Sequence, residues 1–269
     1  MTGRSGPAMA FAALTLLAGL TAAEAGGQTT ETGGAEALAR AEALADSGRT
    51  EEARRALRAW YGSPGASGGE TLTRARLLRA RLASDPDSAE ADYVWVAIEG
   101  EAAHAPEAWL RLAQLRLLRG EPERVLADLE RLRASHPDDP RAAESWLWTG
   151  HAHEALGELD EACAAWRRAE SRDPATRPAV GEAVAACDGS GSFFAVQVGA
   201  FGAASGAETT RRRLEEAGFR AYVVTGEGDG LRRVRAGRFV HLPSAAMFAE
   251  RVRRHGFEAV VVLASPSSG

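Results

Sequence analysis

Residues 143–174 read AESWLWTGHAHEALGELDEACAAWRRAESRDP. Trp146, Gly150, His153, Gly157, Ala162, Trp166, Ala169 and Pro174 stand at positions 4, 8, 11, 15, 20, 24, 27 and 32 of this frame. Bulky residues alternate with small ones at intervals that suit two antiparallel helices. Gly157 supplies the left-handed turn between them, and Pro174 ends the second. One such pair cannot cover its own apolar face, so it must stack on others.

Other pairs lie upstream. A frame from Pro106 holds Trp109, Ala113, Gly120, Leu129, Leu132 and Pro137, and a frame from Gly34 holds Ala37, Ala41, Leu44, Gly48, Ala53, Leu57 and Trp60. Between them, Ala91, Trp95 and Ile98 fit the second helix of a degenerate unit starting near Leu72. The spacing resembles the tetratricopeptide repeat (TPR), with His153 in place of the usual Tyr at position 11. Residues 34–187 are therefore expected to form an α-solenoid of TPR helix pairs, capped at its end by a helix over Ala175–Cys187. The resemblance implies a scaffold that recruits protein partners, which the sequence does not identify.

Little in this region suggests chemistry. His151 and His153 are two residues apart and do not share a helix face as metal ligands would, and the other four His are scattered. All six Trp fall here and are read as repeat packing, and the Glu-rich first turns as solvated faces. No catalytic motif, metal set or cofactor signature is present, and the chain is read as non-enzymatic. Cys163 and Cys187 are the only cysteines. In an exported chain an even count favours a disulfide, here one that ties the cap helix to the last repeat.

At 188–192 (DGSGS) the helical pattern stops at a short linker. Beyond it, Phe194–Val198 alternates as a strand, and Ser205 with Glu208 reads as a capping box opening a helix that ends at Gly218. Strands follow at Arg220–Val224 and Leu231–Ala236 around a Gly-rich turn, then a helix over Ser244–His255 and a last strand at Glu258–Leu263. The order βαββαβ predicts a small α+β domain over 193–264, a four-stranded antiparallel sheet with both helices on one face. Leu231, Arg233 and Arg235 alternate onto the outer face, where Gln197 offers donor and acceptor groups and the arginines offer forked donors suited to a sugar polymer. An RNA-binding sheet of this order would need exposed aromatics where Gln197, Leu231 and Arg233 stand, so nucleic acid is not expected.

Phe194-Ala-Val-Gln-Val-Gly-Ala-Phe201, Ala207, Leu214, Arg232-Arg-Val-Arg-Ala-Gly-Arg-Phe239, Ala245 and Gly256 closely resemble the SPOR (sporulation-related repeat) family. The resemblance implies binding of peptidoglycan, with preference for glycan strands stripped of stem peptides, which gather at division septa. Gln197 and Arg233 match the family's first-strand Gln and third-strand Arg. Ala200 replaces a frequent Ser, and Leu231 replaces an aromatic. These departures keep open an alternative in which the repeats assemble an envelope complex and glycan binding is weak or vestigial.

The 269 residues carry a formal net charge of −5, unevenly spread. Residues 192–264 hold 11 Arg against 7 acidic residues, whereas 26–191 hold 20 against 29, which suggests different partners for the two parts. At the start, Arg4, an apolar run to Ala23 and the small-x-small site Ala23-Glu24-Ala25 describe a signal peptide over 1–25, followed by a disordered leader over 26–33. The apolar part is short for a spanning helix. The expectation is export to a bacterial periplasm or envelope, with no membrane span after cleavage.

Overall fold

The computed structural model describes residues 21–63, 66, 68–187, 192–225 and 229–265. Most of the signal segment and the linker residues 188–191 lie outside them. Two compact units part between Leu82 and Ala83.

The first unit contains α1 (Thr21–Asp46), α2 (Thr50–Tyr61) and α3 (Gly69–Leu82). Leu38, Ala41, Ala53, Leu57, Trp60, Ala75, Leu78 and Leu82 form its core, and the Trp60 indole N–H donates to the carbonyl of Gly34 at 2.9 Å. Helix α1 starts upstream of Gly34, so the stretch 26–33 is helical where an irregular leader was expected. Its Gly pair lowers helix propensity, but there is no Pro to stop a helix that Ala and Glu continue.

The second unit holds α4 (Pro86–Glu99), α5 (Ala105–Leu118), α6 (Pro122–Ser135), α7 (Pro140–Ala155), α8 (Leu159–Arg172) and α9 (Arg177–Ala186), followed by the sheet domain. The expected repeats are helix pairs, α5 with α6 and α7 with α8, each turning at a left-handed glycine, Gly120 (φ 73°) and Gly157 (φ 77°). The small residue at position 8 has a steric cause: a Cβ on Gly150 would lie 2.2 Å from the indole of fully buried Trp166. A disulfide joins Cys163 of α8 to Cys187 at the end of α9, with Cα atoms 5.8 Å apart. The loop it closes is of a size that contributes about 3 kcal/mol.

The sheet domain runs β1 (Phe193–Phe201), α10 (Ala204–Glu216), β2 (Ala221–Val224), β3 (Arg232–Phe239), α11 (Leu242–Arg254) and β4 (Val260–Ala264). The four strands are antiparallel in the order β2-β3-β1-β4. Ala207 and Leu214 of α10 and Ala245, Phe248, Ala249 and Val252 of α11 pack on Val196, Val234 and Ala236, so both helices cover one face, as expected. The capping box is not made. Helix α10 begins at Ala204, which puts Ser205 inside the first turn, and the Glu208 carboxylate pairs with Arg211 instead.

Helix α11 has no side-chain cap of its own. Its cap comes from α7, 87 residues upstream. Glu154, 1% exposed, accepts from the backbone N–H groups of Val240 (2.9 Å) and His241 (2.8 Å), from the His241 ring and from the Ser244 hydroxyl (3.1 Å). A carboxylate here satisfies orphan donors and meets the positive end of the helix dipole. Burial pushes the Glu154 carboxyl up, but its bonds to the His241 ring and backbone outweigh this and hold it below the usual range. The same hydrogen bond raises His241. Around this cap, Phe193 and Val240 pack against Leu159, Cys163, Trp166 and Val180, and the Arg238 N–H donates to the Gly157 carbonyl at 3.0 Å. The sheet domain is therefore seated on the last helix pair. Residues that would have been parted by a flexible linker share one compact unit.

Glu154→Ala is expected to cost about 3 kcal/mol, because it leaves buried donors unmatched. Urea denaturation of the full-length protein checks this, and a loss under about 1 kcal/mol would reject the assigned role. Glu154 is lowered on folding, so its contribution is present above an unfolded pKa of about 4.3 and lost as pH falls through the folded value. His241 is raised, so its contribution is present below about 6.5 and lost as pH rises through its folded value. The stability difference between wild type and Glu154→Gln should peak between those two values.

Candidate functional site

The register of the sheet sets one row across its outer face: Tyr222 on β2 opposite Arg235 on β3, Arg235 opposite Gln197 on β1, and Gln197 opposite Val260 on β4. The next row holds Val224, Arg233 and Ala200. Between them the β1–β3 register shifts by one residue near Gly199. This bulge turns Phe201 inward, where a Cβ on Gly199 would strike its ring at 2.7 Å.

The four residues singled out from the sequence occupy different environments. Gln197 is half-buried, with its amide on the outer face. Arg233 is also half-buried and is held by Asp229: its Nη1 donates to Oδ1 at 3.1 Å, and a second bond completes the fork. That hydrogen bond, with another from the Leu231 N–H, keeps the Asp229 carboxyl below its usual range. Leu231 precedes β3 and is half-buried. Arg235 is only 6% exposed, so it underlies the face rather than projecting from it. Rows bring Gln197 and Arg235 together, while Arg233 sits one row away beside Ala200.

Two residues of this face escape a reading by alternation. Tyr222 lies beside Arg235, its hydroxyl buried with no hydrogen-bond partner, and burial raises it against the pull of Arg235 and Arg238. Arg238 would fall on the core side by strict alternation. Gly237 has φ +65° and breaks the period, so the Arg238 guanidinium comes to lie 4.6 Å from the centre of the Phe193 ring, beside Tyr222. The signal was the Gly in Arg235-Ala-Gly-Arg238, which marks a bulge in an otherwise regular strand.

His151 and His153 serve packing and turn geometry. His151 is edge-on to Trp166 and near His241, and burial lowers it. His153 pairs through Nδ1 with Glu158 at 2.8 Å. Among the described residues no three His, Cys, Asp or Glu converge as metal ligands, and no helix is long and apolar enough to cross a membrane.

The class defined here is a four-stranded α+β domain with a polar row on its uncovered face, carried on helical repeats. The SPOR domain model matches residues 190–263, and the chain belongs to that family through this segment. Among solved structures, the solution structure of the peptidoglycan binding domain of the B. subtilis cell wall lytic enzyme CwlC is 34% identical, covering 28% of this chain and 94% of that one with a TM-score of 0.26. No curated protein matches.

Gly237→Ala is expected to destabilise the protein by about 1–3 kcal/mol, since any Cβ there is strained at positive φ. It would also sit 2.5 Å from the Phe239 ring and 3.1 Å from the Gly157 Cα. Thermal unfolding checks this, and an unshifted midpoint would mean the bulge is not required.

Proposed function

We propose that the protein is a non-catalytic peptidoglycan-binding protein of a bacterial envelope, reading glycan strands stripped of their stem peptides. The observation that carries this is the SPOR match over residues whose outer-face row is Tyr222, Arg235 and Gln197. Stripping a strand with an amidase leaves a free lactyl carboxylate on each muramic acid, beside the acetamide and hydroxyl groups of the sugars. Gln197 can donate to and accept from an acetamide, and Arg233 can exchange its Asp229 partner for a ligand carboxylate.

In this reading the sheet domain supplies the address, and the TPR-like pairs recruit cell-envelope or division proteins through their helical surfaces. Export, septal enrichment and the identity of those partners belong to the same proposal. The departures at Ala200 and Leu231, and the burial of Arg235, favour one alternative: an assembly factor in which glycan binding is weak.

Co-sedimentation of the full-length protein with purified sacculi, before and after amidase treatment, tests the choice. Pelleting should rise after amidase. Gln197→Ala and Arg233→Ala should each lower it about fivefold or more, as expected for lost hydrogen bonds to a polar or charged ligand group. Pelleting that is absent, or unmoved by amidase, would favour the assembly factor.

A further inference from the structure

At the opposite end of the outer face from Arg233 stand two more arginines. Arg238 is placed there by the bulge at Gly237, and lies three residues beyond Arg235, about 10 Å along the strand at ~3.3 Å per residue. Arg220 precedes β2 by one residue and Tyr222 by two, so it alternates onto the same face. Both are accessible, Arg238 with 39% and Arg220 with 65% of the side chain exposed.

What they touch is a set of carboxylates, all from the turn into α8 and its first residues. Arg220 donates through Nη1 to Glu161 at 2.6 Å and lies 3.2 Å from Glu158, while Arg238 lies 3.5 Å from Asp160. Glu158 is also held by His153. Asp160 is the loosest member, 87% exposed and beyond ordinary hydrogen-bond distance. Exposed pairs of this kind are weak and readily exchanged. The Arg238 backbone, by contrast, is fixed by its hydrogen bond to Gly157. The backbone is anchored, the guanidinium rests on the Phe193 ring, and its carboxylate partner is free to leave.

We propose that Arg238 and Arg220 form a second carboxylate subsite on the outer face, which takes a lactyl carboxylate of a stripped glycan strand in place of Asp160 and its neighbours. The inference rests on the glycan-binding reading and deepens it. The α8 carboxylates occupy the arginines with the same chemical group that the ligand would bring. They also repel an anionic strand, so the last helix pair lowers the affinity of the sheet domain seated on it.

The test uses the full-length protein and two probes: amidase-released glycan strands, and the same strands with their lactyl carboxylates reduced to alcohols. Affinities are read by titration calorimetry. Asp160→Asn should bind native strands about three- to fivefold tighter, the range expected for removing one exposed charge contact, and leave the reduced strands unaffected. Arg238→Ala should weaken native strands by a similar factor and reduced strands not at all. Because Asp160 is so exposed, its substitution tests the idea even if Arg238→Ala loosens the fold. Unchanged affinity of Asp160→Asn for native strands, or equal weakening of both probes by Arg238→Ala, would overturn the subsite. A wild-type protein that binds neither probe would overturn the glycan reading itself, and the subsite with it.

Discussion

A single buried carboxylate ties the sheet domain to the repeats in the second unit. Glu154 belongs to a repeat helix, yet it completes the N-terminus of α11 in the sheet domain, where no local residue caps the helix. A charge in so dry a place is tolerated only because it meets two backbone N–H groups, an imidazole and a hydroxyl together. The Arg211 pairs with Glu208 and Glu215 on the surface of α10 lie in solvent, where screening leaves little net stabilisation. The geometry of the outer face therefore depends on the junction far more than on the surface ion pairs.

Close packing at that junction explains two glycines together. Gly157 turns α7 into α8, and Gly237 bends β3; both have positive φ, and the Cα of one lies where a Cβ of the other would go. The same bend that lets the repeat approach the sheet also brings Arg238 to the outer face. Docking and the make-up of the candidate site thus arise from one backbone irregularity. A strand without the bulge would keep its alternation and bury Arg238 on the core side.

The charge asymmetry seen along the chain acquires a place in this arrangement. The basic sheet domain meets the acidic repeats where Arg220 and Arg238 face Glu158, Asp160 and Glu161. In the proposed reading, attraction between the two parts and attraction to an anionic glycan strand draw on the same guanidinium groups and so compete.

Much of the architecture was legible from local pattern alone. The 3.6-residue spacing around Gly150, Ala162 and Trp166 specified helix pairs, because helix faces must bury bulky against small. The alternation in Phe194–Val198 and Leu231–Ala236 specified strands, because a pleat sends neighbours to opposite faces. The same alternation put Gln197 and Arg233 on the outer face, while their candidacy as binding residues came from the SPOR resemblance. Boundaries were less legible: the Ser205 cap failed because helix α10 starts two residues early, and α1 runs through a stretch whose composition suggested disorder. Alternation also could not show that Arg235 is buried, that Tyr222 sits beside it, or that Gly237 returns Arg238 to the outer face. Nor could any local pattern pair Glu154 with a helix 87 residues away. Periodicity records which side of its own element a residue faces, and so determined the elements and the fold class. Which surfaces meet, and which side chains they cover, was decided by long-range packing and hydrogen-bond satisfaction, which only the folded chain brings together.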